Sequence, residues 1–509
     1  MKKEEKKENV AKAVCLFDIP QNVSDVSSAL KEAGFEAYLV GGCTRDLFLR
    51  RKPKDWDLTT NANPEEIMKI FPKHFYENEY GTVGVVFETD DATLKVVEIT
   101  PYRLESEYSD SRRPDAVSWG DKLEDDLKRR DFTINAIALN LVSCDKKGQC
   151  EAEITDLFGG IKDLKDGVVR TVGEPMERFA EDGLRIMRAV RIATELGFGI
   201  EPGTESAIYT ASSMLSKIAK ERVREEFVRI IMSDDPMTGL RLLQKMDLLK
   251  HIAPELEKGM GVTQNQAHSY DVWEHSLRAL SHSARKNHSL KVRLAVLFHD
   301  IGKPATREWS KEKNDWTFHG HDVVGARIAT KILANLKFPK KEMDDVVTLV
   351  RWHMFFSDTE LITLSAVRRM VARVGKENIW ELMDVRASDR IGTGRPKESP
   401  YRLRKYHSMV EEAMRDPISV SALKIGGGEI MALSGLNPGP KIGFILNILL
   451  DEVLENPELN KAEILSERVK TLSKLSDGEL KKMGESAKKK KEEEEEKEIE
   501  KIRQKYWVK

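Results

Sequence analysis

The sequence predicts an α+β protein: an N-terminal α/β head on a mixed sheet, followed by segments that are helical almost throughout. Three observations carry this. Strand-like and helix-like runs alternate from about residue 23 to 156. After the turn-rich stretch Asp156 to Gly167 (DLFGGIKDLKDG), helical periodicity takes over. Charged residues make up 33% of the 509, and aromatics 7%, a balance that suits a soluble, helix-rich chain.

Residues 1–22 read as a polar lead-in. The head, residues 23–156, opens with the helix-like VSDVSSALKEAG and a short strand at Glu36 to Val40. Strand-like VGVVFE and LKVVEIT follow, then the helix-like DFTINAIALN. A helical section spans residues 157–260, in which FAEDGLRIMRAVRIATELG has apolar residues at helical spacing and stops at Gly197. Nine of the eleven histidines fall between His251 and His353, which sets residues 261–400 apart. A last helical region covers residues 401–475, with a Gly-rich turn at Gly426 to Gly428, and residues 476–509 form a charged tail.

The formal charge of -2 excludes a global polycation, so any nucleic-acid surface has to be local. There is no run of eighteen apolar residues and no secretory stretch at the start, so neither a membrane partner nor export is expected. Cys15, Cys43, Cys144 and Cys150 show no zinc-like pairing and no disulfide framework, which predicts a reduced cytoplasmic protein.

Asp55 and Asp57 are the most informative pair. Residues i and i+2 of a strand face one side, so both carboxylates can hold Mg²⁺ against a triphosphate. Gly41 and Gly42 upstream allow the backbone close to phosphate, and Arg45 follows them. Glu98, in the strand-like VVEIT, is the candidate third carboxylate, set against an ordinary solvent-facing strand glutamate. In EDDLKRRDFTINA, Arg130 suits phosphate through its planar fork, while Asp131 and Asn135 suit a helix start or a sugar contact. Asp182, Arg185, Arg188 and Arg191 lie three apart, neighbours in turn on one helix. A carboxylate and a guanidinium together imitate the Watson–Crick edge of a base; a salt-bridge ladder is the plainer alternative.

In this order, GGxxRD…DxD, RRDFTINA and EDxxRxxR closely resemble the class II tRNA nucleotidyltransferases, the CCA-adding enzymes and their poly(A) polymerase relatives, over roughly residues 23–260. The resemblance implies a nucleotidyltransferase head, a neck with base-selecting helices, and body and tail domains for the tRNA acceptor arm. It places Mg²⁺ on Asp55 and Asp57, the triphosphate on Gly42 and Arg45, and phosphate or sugar on Arg130. Asp182 and Arg185 would select CTP and then ATP, with Arg188 and Arg191 assisting. The YGTV run from Tyr80 to Val83 resembles the CCA-adding branch. Tyr102 to Asp126 resembles the full flexible loop that CC-only enzymes shorten. An A-adding enzyme and a poly(A) polymerase remain alternatives, as does a phosphohydrolase with a nucleotide-binding head. Arg112-Arg113 and Lys220 to Arg229 are candidate RNA contacts, set against ordinary surface charge.

A second constellation lies in the histidine-rich section. His275, the adjacent His299-Asp300 after an apolar run, and Asp389 resemble the HD phosphohydrolase superfamily. That resemblance implies a divalent metal (Mg²⁺, Mn²⁺ or a transition metal) on these four residues and hydrolysis of a phosphoester. His319, His321 and His353 are left as second-metal or phosphate contacts.

Overall fold

The head sheet begins earlier than the polar lead-in suggests. In this computed structural model, which describes residues 14–77, 81–105, 117–266, 268–355 and 362–483, strand β1 already forms at Val14–Asp18. Its partner is the last strand of the head, β10 (Gln149–Asp156), with Val14 opposite Glu153. Helix α1 (Gln21–Glu32) follows directly and buries Val23, Val26 and Leu30. The lead-in boundary at residue 22 is therefore corrected: residues 14–22 are head.

The remaining head strands are β2 (Tyr38–Val40), β3 (Asp57–Thr60), β4 (His74–Glu77), β5 (Thr82–Val86), β6 (Val96–Pro101), a small hairpin of β7 (Arg103–Glu105) with β8 (Val117–Trp119), and β9 (Ile137–Cys144). The main sheet runs β1-β10-β9-β2-β3-β6-β5-β4 and is mixed, with only β3 and β6 parallel among its pairs. Leu39, Leu58, Val83, Val97 and Ile99 pack with α1 and with Ile67 of a helix at Pro64–Ile70 into one core. Residues 106–116, between β7 and β8, and Tyr80 lie outside the described residues, as do Arg112 and Arg113.

Two expectations fail here for identifiable reasons. DFTINAIALN is not a helix: Thr133–Asn135 form a single 3₁₀ turn and the rest becomes strand β9. Ile137, Ala138 and Leu139 are all fully buried, and a strand covered on both faces loses the alternation that marks strands. Cys144 and Cys150, expected reduced, are joined by a disulfide. They face each other in the register of β9 and β10, which their separation along the chain does not reveal.

After the head, the expected helix ending at Gly197 is split. One helix covers Pro175–Glu181 and another Arg185–Leu196, with Asp182 in extended conformation between them. Gly197 (φ 72°) closes the second as expected. That second helix packs against Lys220–Met232 and Pro236–Lys245. The first compact unit ends at Ala253, ahead of the expected boundary at residue 260.

The second unit holds the histidines. Helices at Val272–Arg285 and Ile379–Gly392 pack together, and both meet the apolar helix Leu290–Phe298. His321–Asn335 packs on Lys340–Trp352. The C-terminal core gathers Ile430, Ile445, Leu449, Val469 and Leu472, and also Leu480, so the folded part runs past the residue 476 expected to begin the tail. Residues 484–509 lie outside the described residues. No described helix is long and apolar enough to cross a membrane.

Candidate active sites

The acidic site sits at the start of β3. Asp57 is its first residue and stands in register with Glu98 of the parallel β6, so the two carboxylates extend from adjacent strands. Asp55 precedes the strand. Gly41 (φ 81°) brings the turn after β2 against them: a Cβ there would lie 3.1 Å from Asp57 Oδ2 and 3.4 Å from Arg130 Nη1. A Cβ on Gly42 would lie 3.7 Å from Asp55 Oδ1 and 3.6 Å from Arg45 Nη2. The glycine pair is thus wedged between the acids and two arginines. Burial, with Asp55 and Glu98 nearby, pushes the Asp57 carboxyl up to about 7 against the pull of Arg130 and Arg188. Asp55 and Glu98 lie near enough to raise the Asp57 carboxyl, and oxygen ligands of this kind suit a hard divalent cation.

The arginines are held from behind. Asp126, wholly buried, accepts from Arg130 Nη2 (2.9 Å) and Arg129 Nη2 (2.7 Å). Arg45 donates to Asp46 Oδ1 (2.8 Å) and Asn135 Oδ1 (3.0 Å). Asn135 donates in turn to Asp131 Oδ1 (3.1 Å), and Arg188 to Asp131 Oδ2 (2.6 Å). Asp131 and Asn135 therefore do not start a helix; they couple Arg45 to the neck.

The row of Asp182, Arg185, Arg188 and Arg191 is divided among different partners. Asp182, in the break between helices, is gripped by Arg222 (Nη2–Oδ2 2.7 Å). Arg185 pairs with Glu181 and donates to the Arg129 carbonyl (2.9 Å). Arg191 departs from the open row the sequence suggests: it is buried against Glu226 (3.0 Å) between helices. Lys220 to Arg229 is likewise no plain basic patch, since Arg222 and Arg229 turn to Asp182 and Glu195. Arg222 and Asp126 were not singled out from the sequence. Arg222 lies forty residues from its partner, a separation that no local spacing rule covers.

The histidine site assembles as expected, and with more residues. His275 Nε2 is 3.0 Å from His299 Nε2, 3.2 Å from Asp300 Oδ2 and 3.3 Å from Asp389 Oδ1. The other oxygen of Asp300 lies 3.4 Å from His321 Nε2 and 3.7 Å from His353 Nε2. Asp300 thus stands between two clusters of ligand atoms. His299, His321 and His353 each donate Nδ1–H to the carbonyl three residues back, at 2.7 Å, which turns Nε2 inward as the atom that would ligate a metal once deprotonated. Gly302 permits the close approach: a Cβ there would lie 2.1 Å from the His321 carbonyl. Burial opposes a charge on His299, but Asp300 and Asp389 outweigh it and push its pKa up to about 10. Burial and the neighbouring imidazoles push His353 down.

Such a buried nitrogen-and-oxygen set, with Asp300 turning one oxygen toward each cluster, fits a divalent metal. His319 is exposed and joins no cluster among the described residues. His268, not singled out from the sequence, joins His275 and Asp300; it precedes the helix of His275, outside any motif.

The Poly A polymerase head domain family matches residues 37–170. The family described as the probable RNA and SrmB-binding site of polymerase A matches residues 197–260, and the HD domain matches 272–394. A CCA-adding enzyme of Lactobacillus helveticus is 47% identical over 42% of this chain and 51% of its own length, so the chain spans about half of that relative. One from Leuconostoc mesenteroides is 31% identical over 89% of this chain and 98% of its own length. The crystal structure of Bacillus stearothermophilus CCA-adding enzyme in complex with CTP aligns with a TM-score of 0.65 at 28% identity, covering 89% of this chain and 98% of that one. The chain belongs to the tRNA nucleotidyltransferase and poly(A) polymerase family, with an HD domain following its nucleotidyltransferase head.

Proposed function

We propose that the protein adds C, C and A to tRNA 3′ ends without a nucleic-acid template, using CTP, ATP and Mg²⁺. One observation carries this: Asp57, in register with Glu98, faces Arg130 across Gly41, so acids and a phosphate-binding cation flank one glycine turn. The terminal hydroxyl of the RNA attacks the α-phosphate and pyrophosphate leaves. Mg²⁺ bound to Asp55 and Asp57 supplies charge neutralisation and alignment. Glu98 completes the acidic set. Arg45 and Arg130 grip the phosphates, and their partners Asn135 and Asp126 keep the guanidinium planes from swinging. Asp182 and Arg185 read the base, with Arg222 and Glu181 holding their side chains in place. Helical segments that follow the head hold the acceptor arm through phosphates and 2′-hydroxyls. Such a substrate places the work in the cytoplasm.

The test is incubation with tRNA lacking CCA plus labelled CTP and ATP, followed by sequencing of the products. Restored CCA supports the reading; A added only after CC, or a run of A, replaces it with an A-adding enzyme or a poly(A) polymerase.

The cluster around Asp300 supports a second activity: metal-dependent hydrolysis of phosphoesters, trimming phosphates from RNA ends. Here Mn²⁺ or a transition metal suits the imidazoles better than Mg²⁺. Phosphate release that persists in Asp55→Ala but vanishes in His299→Ala would assign it.

A further inference from the structure

The Asp300 cluster opens into a cavity of about 590 Å³, within the range of small-ligand sites. Its walls carry more positive charge than a single phosphate needs. Lys303, Lys313, Arg386, Arg390, Arg395 and Arg402 line it, whereas the acids are Asp300, Asp389 and Asp315. Asp300 and Asp389 belong to the metal cluster, and Asp315 accepts from the backbone amides of Gln266 (3.0 Å) and Trp316 (2.8 Å).

The cations are graded in depth. Lys303 is buried, its ammonium 2.6 Å from Asp300 Oδ2 and hydrogen-bonded to Gln264 Oε1. Arg386 is paired with Asp389 Oδ2 at 2.6 Å. Arg390 spends Nε on the Lys397 carbonyl at 2.7 Å, and Arg395 has no acidic partner among the described residues. Charge therefore continues outward from the cluster along one wall. On the hairpin wall stands Trp316, with the Arg307 guanidinium stacked 3.7 Å from its ring centroid and Trp309 edge-on at 5.1 Å. This fixes an aromatic surface beside the cavity.

We propose that the cavity recognises a nucleotide bearing two phosphate groups. One phosphate sits at the Asp300 cluster, the second on Arg390 and Arg395, and the base lies against Trp316. This rests on the phosphohydrolase reading of the cluster. Water adds to the first phosphorus and the ester P–O bond breaks. The alcohol oxygen leaves with a proton, giving inorganic phosphate and a hydroxyl. The second phosphate, uncleaved, supplies binding energy. Two sources present this chemistry: a free nucleoside bisphosphate, and the last nucleotide of an RNA with a phosphorylated 3′ end.

The test uses the full chain with Mn²⁺ and measures phosphate release from adenosine 3′-monophosphate, adenosine 3′,5′-bisphosphate, ribose 3,5-bisphosphate and a 3′-phosphorylated oligoribonucleotide. The bisphosphate or the oligonucleotide should exceed the monophosphate in kcat/KM by roughly tenfold, the scale of one charge-assisted contact. Arg395→Ala should erase that ratio through KM, and Trp316→Ala should erase the preference for the nucleoside over the base-free sugar. Whichever of the two favoured substrates is faster identifies the source. Equal rates for mono- and bisphosphate overturn the proposal. Should no substrate release phosphate, the hydrolytic reading fails and binding decides. Saturable binding of the bisphosphate, weakened roughly tenfold by Arg395→Ala, retains the site; absence of such binding removes it.

Discussion

Arg188 of the neck donates two hydrogen bonds, 2.8 and 2.6 Å long, to a single oxygen of Asp131, in the segment that leads into strand β9 of the head. The other oxygen of Asp131 accepts from Asn135, whose carbonyl holds Arg45. The neck helix and Arg45, proposed to read the base and to grip phosphate, thus share one carboxylate.

This sharing predicts non-additivity. Asp131 is 8% exposed, so removal of Arg188 leaves a buried charge partly unpaired. Arg188→Ala and Asp131→Asn, combined, should cost less than the sum of the single variants by about 1–3 kcal/mol, read as a double-mutant cycle in urea unfolding. Perfect additivity would deny the coupling. The pH dependence has a fixed sign. Burial opposes the Asp131 charge, but Arg188 outweighs it and holds the carboxyl below its ordinary range. That stability is present above the unfolded value of about 4 and is lost as pH falls further. Wild type should therefore lose more stability than Asp131→Asn between about pH 4 and pH 2.

Asp57 carries the opposite sign. Its carboxyl is raised to about 7 when folded, so without a divalent cation its stabilising effect is full below about pH 4 and lost as pH rises through 7. In EDTA, wild type should lose up to about 1.4 kcal/mol per pH unit more than Asp57→Asn across this window. Added Mg²⁺ should cancel the difference at pH 8. A thermal melt series at each pH, with and without Mg²⁺, reads both.

Asp55→Ala should abolish nucleotide incorporation while tRNA binding, measured by filter retention, stays close to wild type. Arg185→Ala should blur the choice between CTP and ATP more than it slows addition. Arg222→Ala is the newer expectation. It frees Asp182 from a 2.7 Å ion pair, so base misincorporation should rise severalfold while thermal stability falls by at most about 1 kcal/mol, as for other partly exposed pairs. Unchanged fidelity in the Arg222 variant would make it a plain surface salt bridge.

How much of this was legible depended on whether the signal was local. Asp55, Asp57 and the glycine turn are close in sequence, although Asp55 sits in a bend before β3 and not in the strand that period-two geometry assumes. Glu98 needed the parallel pairing of β3 and β6, which the strand-like run around it only suggested. The helix break at Asp182 was hidden because apolar spacing continues through Ala180, Leu184 and Met187 on both sides of it. Strand β9 passed for helix because both its faces are buried. Arg222, Asp126 and His268 act through tertiary contacts, and Arg191 carried a motif position while its side chain serves packing.

The histidine site offers a count as its test. Asp300 presents Oδ2 to His275 and His299, and Oδ1 to His321 and His353, so one carboxylate serves two sets of ligand atoms. His321 and His353 each have Nδ1–H tied to a backbone carbonyl, and an asparagine at either position keeps an N–H donor for that carbonyl while removing Nε2. Mn²⁺ bound per chain beyond any cation on the head carboxylates, measured after removal of loose ions, should then be about two in wild type and about one in His353→Asn if each cluster holds one cation. Phosphate release should fall by about ten- to a hundredfold in that variant, while CCA addition, which draws on Asp55 and Asp57, should stay within about twofold. A stoichiometry of one in both proteins would mean that His321 and His353 contact the substrate instead of a second metal.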